Sequence, residues 1–446
     1  MLLTGENPAG AGRGDVRSES RADLTHTNWG YNSYKPYGGR YKAMVLKWIL
    51  IFGILFGICG CGSSNSDDMR SYMQTIVETK WSDYANANMG GNGSIAIYIT
   101  SPKGNYFLKT GNSSSATTAD SHFRAASTTK TFTAAAIMLL QQQGKLNIES
   151  KLTDVIPETS RAYLPDTPAY AIPYKESITI KQLLEHRAGV FDVANSQIPP
   201  TVSQPYAGDI YENYIRETLG EEEHQFTLEE LINVVAENQL STNPPGETFA
   251  YSDTGYSILG KIIEEVSLKT YHDFIHENFF ALHDLNGSSM PSLGNDLNLP
   301  SPFISGDIWY QNQYYSGESE GIYSTRNNVS ARVAEGNLIS TLDNLNRWVR
   351  GWIKGEMGLT PETVSMMTDV QATGESHEYY GLGTVYTPGL GYGHNGAILG
   401  YFTIMRYDPQ SDIAIVANVN IWNLDDFYSM LDIGYEILKA VKQTLE

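Results

Sequence analysis

The sequence has little cysteine, little positive charge and one short hydrophobic run. Its 446 residues include two cysteines, Cys59 and Cys61, which are too few to stabilise a fold by a network of disulfides. Lysine and arginine number 30 against 50 aspartates and glutamates, a formal net charge of −20. Nucleic-acid binding needs a positively charged surface, so we expect no nucleic-acid partner. A hydrophobic content of 41% excludes a disordered or fibrous chain and indicates a large buried core.

The hydrophobic run, from Trp48 to Ile58, is too short to span a membrane. Its residues would rise about 16 Å as a helix, whereas the hydrocarbon core of a bilayer is about 30 Å thick. A run of this length that follows Met44 and a lysine is typical of an export signal. The end of the run, Ile58-Cys59-Gly60-Cys61, resembles a bacterial lipobox. That resemblance implies cleavage before Cys61 and lipidation of its sulfur.

The N-terminal part of the chain is therefore predicted to lie outside the fold. Residues 44–60 are predicted to be a lipoprotein signal peptide and residues 61–68 a polar tether. Residues 1–43 are polar, glycine-rich and without periodicity, so we expect a disordered segment or an extension that the cellular protein lacks. An uncleaved N-terminal anchor is the alternative. Both interpretations predict an exported protein that is held at the membrane of the bacterial cell envelope, on its periplasmic or extracellular side.

Hydrophobic patterning predicts one sheet that is assembled from both ends of the remaining chain. Apolar residues at helical spacing, or strand-like runs, occur at 67–85, 94–100, 106–109, 400–406, 413–419 and 425–445. The first and last of these segments predict helices, and the four between them predict strands. We therefore predict an α+β fold in which an antiparallel sheet from both termini is flanked by helices.

The middle of the chain has a different pattern. Residues 156–334 contain short helical patches separated by stretches rich in proline, tyrosine and serine. This composition predicts an all-α second domain with extended loops. Residues 69–155 and 335–446 are then predicted to form the α/β domain.

The first motif with catalytic potential is Ser127-Thr128-Thr129-Lys130. A helix is predicted to begin here, so Ser127 and Lys130 share one helix face. Backbone N–H groups at a helix start favour negative charge on a nearby serine, and an amine of lowered pKa can accept the serine proton. A capping serine followed by a surface lysine gives the same pattern, so this motif alone does not establish a nucleophile.

The second motif places Tyr251 and Asp253 between a Pro-Pro-Gly turn and a helical run. A phenol at that position can relay a proton, and Asp253 can accept a substrate N–H or pair with Lys130. A turn tyrosine followed by a capping aspartate is the structural alternative.

The third motif, Gly393-His394-Asn395-Gly396-Ala397, lies on a strand that leads into the C-terminal hairpin. His394 can donate to a substrate or carry charge, and Gly396 permits a substrate backbone to approach closely. A buried strand histidine beside turn glycines is the alternative.

In this order, the three motifs resemble those of the penicillin-recognising serine hydrolases: Ser-x-x-Lys, then Tyr-x-Asn, then Lys-Thr-Gly or His-x-Gly. Further segments are similar to the class C β-lactamase-like branch of that family, at residues 143–147, 152–157, 178–190 and 336–341. The resemblance extends from about Ser94 to the C-terminus. The His-x-Gly form, together with His186-Arg187-Ala188-Gly189, is most similar to secreted D-alanyl-D-alanine carboxypeptidases.

The resemblance implies a β-lactamase/transpeptidase-like fold with the active site between an α/β domain and an all-α domain. It implies that Ser127 attacks a carbonyl and forms an acyl-enzyme, with Lys130 and Tyr251 sharing the acid and base work. The backbone N–H groups of Ser127 and Ala397 would form the oxyanion hole.

The resemblance also implies a substrate-binding set. Asp253 and Asn395 are expected to contact the substrate amide, with His394, Gly396 and Ala397 in supporting positions. It implies neither a metal nor an organic cofactor. His272 and His276 have metal-ligand spacing on a helix, but no third ligand is evident, so we interpret them as solvent-facing.

Two departures from the family pattern bear on mechanism. Asp253 stands where asparagine is usual, and a carboxylate there would raise the pKa of Lys130 and hinder its use as a base. His394 stands where β-lactamases usually have lysine, which weakens the case for that activity. A substrate carboxylate needs a cation, for which the sequence offers His394, Arg124 or Arg187.

These observations predict a lipid-anchored serine hydrolase that acts on small peptides. D-Ala-D-Ala carboxypeptidase activity on cell-wall peptides is the leading hypothesis. Esterase, D-aminopeptidase or β-lactamase activity on the same fold is the first alternative, because a fold does not fix its substrate. A non-catalytic binding protein of the envelope is the second alternative, and the oligomeric state is left open.

Overall fold

A computed structural model of the protein describes residues 64–112, 116–319, 321–374 and 379–446. Its main helices are α1 Ser64–Asn88, α2 Thr129–Gln142, α3 Ile180–Leu184, α4 Leu228–Asn238, α5 Asp253–Ser267, α6 Tyr271–Ile275, α7 Leu342–Ile353, α8 Pro361–Met367 and α9 Phe427–Leu445. Shorter helical turns are Pro168–Tyr170, Tyr211–Asn213, Tyr214–Thr218, His276–Phe280 and Ser330–Arg332.

The strands form three sheets. They are β1 Ser94–Ser101, β2 Gly104–Gly111, β3 Phe123–Ala126, β4 Asp307–Tyr310, β5 Gln313–Tyr315, β6 Leu338–Ser340, β7 Gln371–Ala372, β8 Tyr379–Tyr380, β9 Val385–Thr387, β10 Gly391–Ile398, β11 Tyr401–Asp408, β12 Ile413–Val419 and β13 Ile421–Asn423. The main sheet has the order β2-β1-β12-β11-β10-β9-β8-β7 and is antiparallel throughout.

Strands from both ends of the chain meet in the middle of the main sheet. β1 pairs on one side with β2 and on the other with β12, with Ile95 opposite Val419 and Ile97 opposite Ala417. The predicted antiparallel sheet from both termini is therefore confirmed. Branched apolar residues alternate along β1 and continue across β12, so one face of the sheet is apolar enough to hold a helical layer.

Each face of the main sheet is covered by helices. α1 and α9 pack on one face, where Trp81 and Ile437 are almost fully buried. α7 lies against the other face and contacts α2, whose first twelve residues are all buried. Phe132 of α2 stacks on Trp348 of α7 with a centroid distance of 3.9 Å. A helix that is buried on every side is held rigidly, which fixes the residues at its N-terminus.

The segment predicted as helical and loop-rich carries α3 to α6 and also two short strands. β4 and β5 form a hairpin, and β4 runs parallel to β13 from the C-terminal part of the chain. One continuous hydrophobic cluster contains residues from this segment and from α2 and α7. The boundaries proposed at 155/156 and 334/335 stay a prediction.

The start of α1 at Ser64 lies inside the predicted tether of residues 61–68. Polar residues such as Asp67 favour a helix N-terminus, which accounts for this early start. The predicted signal peptide, Cys61 and residues 1–43 lie outside the described residues. Among the described residues, no helix is both long and apolar enough to cross a bilayer.

Candidate active site

The turn between β3 and α2 presents Ser127 and Lys130 side by side. Ala126 has a left-handed backbone with φ of 48°, which bends the chain sharply just before Ser127. The hydroxyl of Thr129 secures the turn, because it donates to the Ala126 carbonyl at 2.7 Å and accepts from Leu338 N of β6 at 3.0 Å. The Lys130 ammonium donates to Ser127 Oγ at 3.0 Å. The predicted pairing of these two side chains is thus present in the structure.

Lys130 lies at the centre of a buried ionic cluster. Its side chain has no solvent exposure, and its Nζ atom lies 2.6 Å from Asp253 Oδ1. The same nitrogen donates to the Glu335 carbonyl at 2.8 Å and lies 3.4 Å from Glu335 Oε2. Two carboxyl groups therefore flank the amine that contacts Ser127.

The flanking carboxyl groups determine the charge of Lys130. Burial alone would lower its pKa, but Asp253 and Glu335 together raise it above the ordinary value. The effect expected from the aspartate at position 253 is thus present. Burial would raise the pKa of Asp253, but Lys130 holds it below the usual value. Burial and the charge of Asp253 raise the pKa of Glu335 well above its ordinary value, which favours its neutral form.

The N-terminus of α5 positions Asp253 and Tyr251. Ser252 caps this helix by accepting from the Gly255 N–H at 3.1 Å, which places Asp253 at the first helical position, facing Lys130. Tyr251 precedes the cap and is 38% exposed. Its ring lies over Lys130 Nζ at 5.0 Å and against the ring of His186 at 4.1 Å. The structure brings Tyr251 next to the Ser127–Lys130 pair, as the sequence predicted.

His394 is buried on β10 and is part of a tyrosine-bridged histidine pair. Tyr380 Oη lies 2.9 Å from His394 Nε2 and 3.1 Å from His186 Nε2. Burial, reinforced by the charge of Lys130, lowers the pKa of His394 to about 3. Of the two roles expected for His394, its surroundings therefore disfavour the charged one, because a desolvated imidazole close to a fixed cation favours its neutral form.

The three residues after His394 on β10 have different surroundings. The Asn395 amide oxygen accepts from Arg406 Nη2 at 2.8 Å, on the face of the sheet that α9 covers. The amide oxygen of Asn395 is therefore engaged within the fold, and the expected contact of this residue with the substrate amide stays a prediction. A Cβ atom on Gly396 would lie 2.0 Å from the Ala125 carbonyl, so only glycine fits there. Ala397 lines the cavity beside Ser127.

The two arginines suggested as partners of a substrate carboxylate donate instead to backbone carbonyl groups of the protein. Arg124 is almost fully buried, and its guanidinium donates to the backbone carbonyls of Ser324, Leu297 and Thr325. Arg187 donates to the Ala372 carbonyl at 3.1 Å. Neither arginine lines the cavity at Ser127.

Sequence reasoning missed a second layer of polar residues behind Asp253. Asn195 donates to Asp253 Oδ2 at 2.7 Å and to Asp192 Oδ2 at 3.0 Å. Burial and the charge of Asp253 raise the pKa of Asp192 to about 7. Arg332 lies 3.6 Å from Glu335 Oε1. No motif marks these positions, although Glu335 directly precedes the matched segment that begins at residue 336.

A cavity of about 550 Å³ opens at Ser127. One wall carries the ionic residues, including Asp253, Glu335 and Arg332. An apolar wall is formed by residues at the ends of β4, β10 and β13: Ile308, Ile398, Leu399, Trp422 and Leu424. Within the described ranges, no group of three or more histidine, cysteine, aspartate or glutamate side chains is arranged to hold a metal ion. The arrangement suits a serine nucleophile that receives a small, partly apolar substrate.

Solved structures with this fold include two hydrolase types. D-Amino acid amidase from Ochrobactrum anthropi SV3, complexed with D-phenylalanine, superposes with a TM-score of 0.64 at 20% identity, over 85% of this chain and 99% of that one. The penicillin-binding protein from Bacillus halodurans has a TM-score of 0.60 at 19% identity, over 83% of this chain and 98% of that one. At these identities the likeness shows a shared fold.

Among curated proteins, a similar sequence is Protein flp of Staphylococcus aureus (strain MRSA252), 28% identical over 192 residues. The match covers 41% of this chain and 32% of that protein, so the chain spans about a third of the length of this relative. The profile of the Beta-lactamase family matches residues 88–433, which include Ser127, Lys130, Tyr251 and His394. Because this match covers more than half of the chain, it shows that the chain belongs to the Beta-lactamase family.

Proposed function

We propose that the protein is a serine hydrolase that cleaves amide bonds of small peptides that contain D-residues, through an acyl-enzyme on Ser127. The observation that carries this proposal is the 3.0 Å contact between Lys130 Nζ and Ser127 Oγ at the floor of the cavity. A serine hydroxyl held against a buried amine is an arrangement suited to acyl transfer. The fold neighbours, an amidase for D-amino acids and a penicillin-binding protein, support amide substrates of this kind.

In the proposed acylation, Ser127 Oγ bonds to the substrate carbonyl carbon and the C–N bond breaks. The serine proton finally resides on the departing amine. Lys130 is charged in the resting site, so it stabilises negative charge on Oγ instead of accepting the proton first. Tyr251, beside Lys130, is the proposed proton relay. Water then hydrolyses the ester by the reverse proton path.

The tetrahedral intermediate needs donors for its oxyanion. We propose the backbone N–H groups of Ser127 and Ala397, both of which border the cavity. A donor of this kind is typically worth about 3 kcal/mol in the transition state. The close fit of Gly396 against the Ala125 carbonyl keeps β10 and β3 near each other, so the two donors stay at a fixed spacing.

D-Ala-D-Ala carboxypeptidase activity remains a candidate form of this function and rests on the His-x-Gly motif. Such a substrate presents a terminal carboxylate. The neutral His394 and the engaged Arg124 and Arg187 supply no charge for it. Amidase or D-aminopeptidase activity is therefore the second candidate, since its substrates need no such cation. Esterase activity uses the same acyl-enzyme chemistry.

The first experiment labels the purified protein with a fluorescent penicillin and, separately, with a fluorescent fluorophosphonate. Ser127→Ala is the control, and we expect all labelling to vanish in it. Labelling by penicillin supports peptidase chemistry, and labelling by the fluorophosphonate alone supports an esterase-like enzyme. A protein that accepts neither reagent contradicts the proposal and supports a binding role. Turnover of a peptide ending in D-Ala-D-Ala, compared with a D-amino acid amide, then separates the two candidate forms.

We also propose that the protein is exported and anchored to the cell envelope by lipid on Cys61, as the lipobox-like end of the hydrophobic run suggests. Metabolic labelling with a clickable fatty acid tests this proposal. Cys61→Ser is expected to lose the label and the membrane fraction, whereas Cys59→Ser is expected to keep both. Labelling that survives Cys61→Ser contradicts the anchor.

A further inference from the structure

The cavity at Ser127 has an excess of acidic side chains. Five carboxyl groups line it, from Glu212, Glu217, Glu222, Asp253 and Glu335, together with two guanidinium groups, from Arg216 and Arg332. With Glu335 in its neutral form, four carboxylates face these two guanidinium groups and the ammonium of Lys130 that contacts Ser127. The whole chain is also strongly acidic, at −20. A cleft whose charge has the sign of the whole protein concentrates ligands of the opposite sign.

Both arginines of the cavity are already paired with one glutamate. Glu212 Oε1 accepts from Arg216 Nη1 at 2.8 Å, and Glu212 Oε2 accepts from Arg332 Nη2 at 2.8 Å. All three side chains are largely withdrawn from solvent, at 9%, 14% and 21% exposure. Binding a substrate carboxylate to either arginine would disrupt this pairing, which costs more than it gains in a buried site.

Asp253 is the acidic group of the cavity with the shorter of the two carboxyl contacts to Lys130. Lys130 bridges Asp253 and Ser127, because its Nζ atom contacts Asp253 Oδ1 at 2.6 Å and Ser127 Oγ at 3.0 Å. Asp253 Oδ2 accepts from Asn195 Nδ2 at 2.7 Å. A carboxylate offers about four lone-pair positions and no donor, so Asp253 can accept further N–H groups but cannot donate to a carbonyl.

We infer that the cleft selects substrates whose acyl residue carries a free, positively charged amino group, which Asp253 accepts, over substrates in which that amine is acylated. This inference rests on the proposed function and narrows its substrate class. An ammonium supplies three donors to the acidic wall. An N-acyl substrate supplies one N–H and a carbonyl, and the carbonyl would face an oxygen of Asp253 that can only accept. The apolar wall of Ile308, Ile398 and Trp422 would receive the side chain of the same residue.

The test compares D-phenylalanine p-nitroanilide with its N-acetyl derivative at pH 7.5. The two probes share the leaving group and the side chain, so their kcat/KM ratio reports the amine alone. We expect the free amine to be preferred by about 10- to 100-fold, the range for a charge-assisted hydrogen bond. Equal kcat/KM values, or a preference for the acetylated probe, would overturn the inference.

Asp253→Asn tests whether this residue carries the selection. The asparagine side chain offers an N–H donor for the acetyl carbonyl and has no negative charge for the ammonium. The ratio of kcat/KM for the free-amine probe to that for the acetylated probe should therefore fall at least about tenfold, even though kcat/KM decreases for both probes. Glu223→Gln is the matched control, because Glu223 is an exposed carboxylate that does not line the cavity. We expect the control to change the ratio by less than about threefold, because exposed charges interact weakly. An unchanged ratio in Asp253→Asn would refute the assignment.

A separate measurement distinguishes this inference from the proposed function. D-Phenylalanine amide and N-acetyl-D-phenylalanine amide are each used to slow fluorophosphonate labelling of Ser127. The inference is supported if D-phenylalanine amide protects Ser127 at a concentration at least about tenfold lower than its N-acetyl derivative, whether or not the anilide probes are cleaved. A lack of p-nitroaniline release refutes only the proposed amide hydrolysis. Equal protection by both amides refutes the inference and leaves the hydrolase proposal intact.

Discussion

Replacing Lys130 by methionine should destabilise the protein strongly and in a pH-dependent way. Methionine has nearly the length of lysine but no charge, so the change isolates the ammonium that lies 2.6 Å from Asp253 Oδ1. At that distance two unit charges attract by about 6 kcal/mol for an effective dielectric constant of 20. The variant no longer has to bury an ammonium, so we expect a net loss of about 3–5 kcal/mol in the free energy of unfolding at pH 8.

The pH dependence follows from Asp253. In the native protein Lys130 holds the pKa of Asp253 below its usual value, so this pair stabilises the fold above the unfolded pKa of Asp253. That contribution disappears as the pH falls through the folded pKa. Without Lys130, burial raises the pKa of Asp253, and the folded state favours its protonated form. The loss in Lys130→Met should therefore be largest at pH 8 and shrink towards pH 5.

Urea denaturation followed by tryptophan fluorescence at pH 8, 6 and 5 provides the measurement. Lys261→Met is the matched control, because Lys261 lies 3.0 Å from Glu265 on α5 with 20% exposure. We expect the control to lose less than about 1 kcal/mol. The double variant Lys130→Met/Asp253→Asn should recover most of the stability. A loss below about 1 kcal/mol at pH 8, or one that does not vary with pH, would refute the reasoning.

Three further predictions concern stability. Gly260→Ala should lower the free energy of unfolding by about 1–3 kcal/mol, because the new Cβ would lie 2.7 Å from the Cβ of Ala334. Gly255→Ala in the same helix should raise it by about 0.5–1 kcal/mol, because no atom lies nearer than 3.7 Å to the new Cβ. Urea denaturation measures both changes. The pKa of Asp192 is raised to about 7 in the folded protein, so protonated Asp192 stabilises the fold at pH values below the pKa that this group has in the unfolded chain. This stabilisation is lost as the pH rises through 7. Asp192→Asn should therefore remove the resulting decrease in the free energy of unfolding between pH 4 and 8. Tyr380→Phe should cost about 1–3 kcal/mol at pH 7.5 by denaturation, because two buried imidazoles lose their shared hydroxyl.

The sequence was sufficient for the parts of the site that local spacing determines. Ser127 and Lys130 are three residues apart at a helix start, and helical geometry alone brings their side chains to one face. The antiparallel sheet was predictable for a similar reason, since alternation of apolar residues marks each strand wherever it lies in the chain. Asp253 was recognised as a partner of Lys130 only because both belong to motifs.

Other contacts depend on packing that no local pattern records. Glu335 and Asp192 reach the cluster because a tight turn and a loop bring their segments to α2 and α5, and neither position stands out in the sequence. The direction of the Asn395 side chain follows from its contact with Arg406 on β11, whereas His394 on the same strand is held by Tyr380 on β8. The neutral state of His394 follows from complete burial, which composition does not report.

The position of β1 between β2 and β12 has a consequence for the order in which the protein forms. Ser94 at the start of β1 binds Asn420, 326 residues later. A β1–β2 hairpin can form once Gly111 has been added, and until β12 is synthesised the other edge of β1 would have no partner strand. The nascent chain must therefore be shielded from pairing with other chains until the ribosome has added its last strands. Late truncations should consequently yield aggregates instead of a smaller folded enzyme.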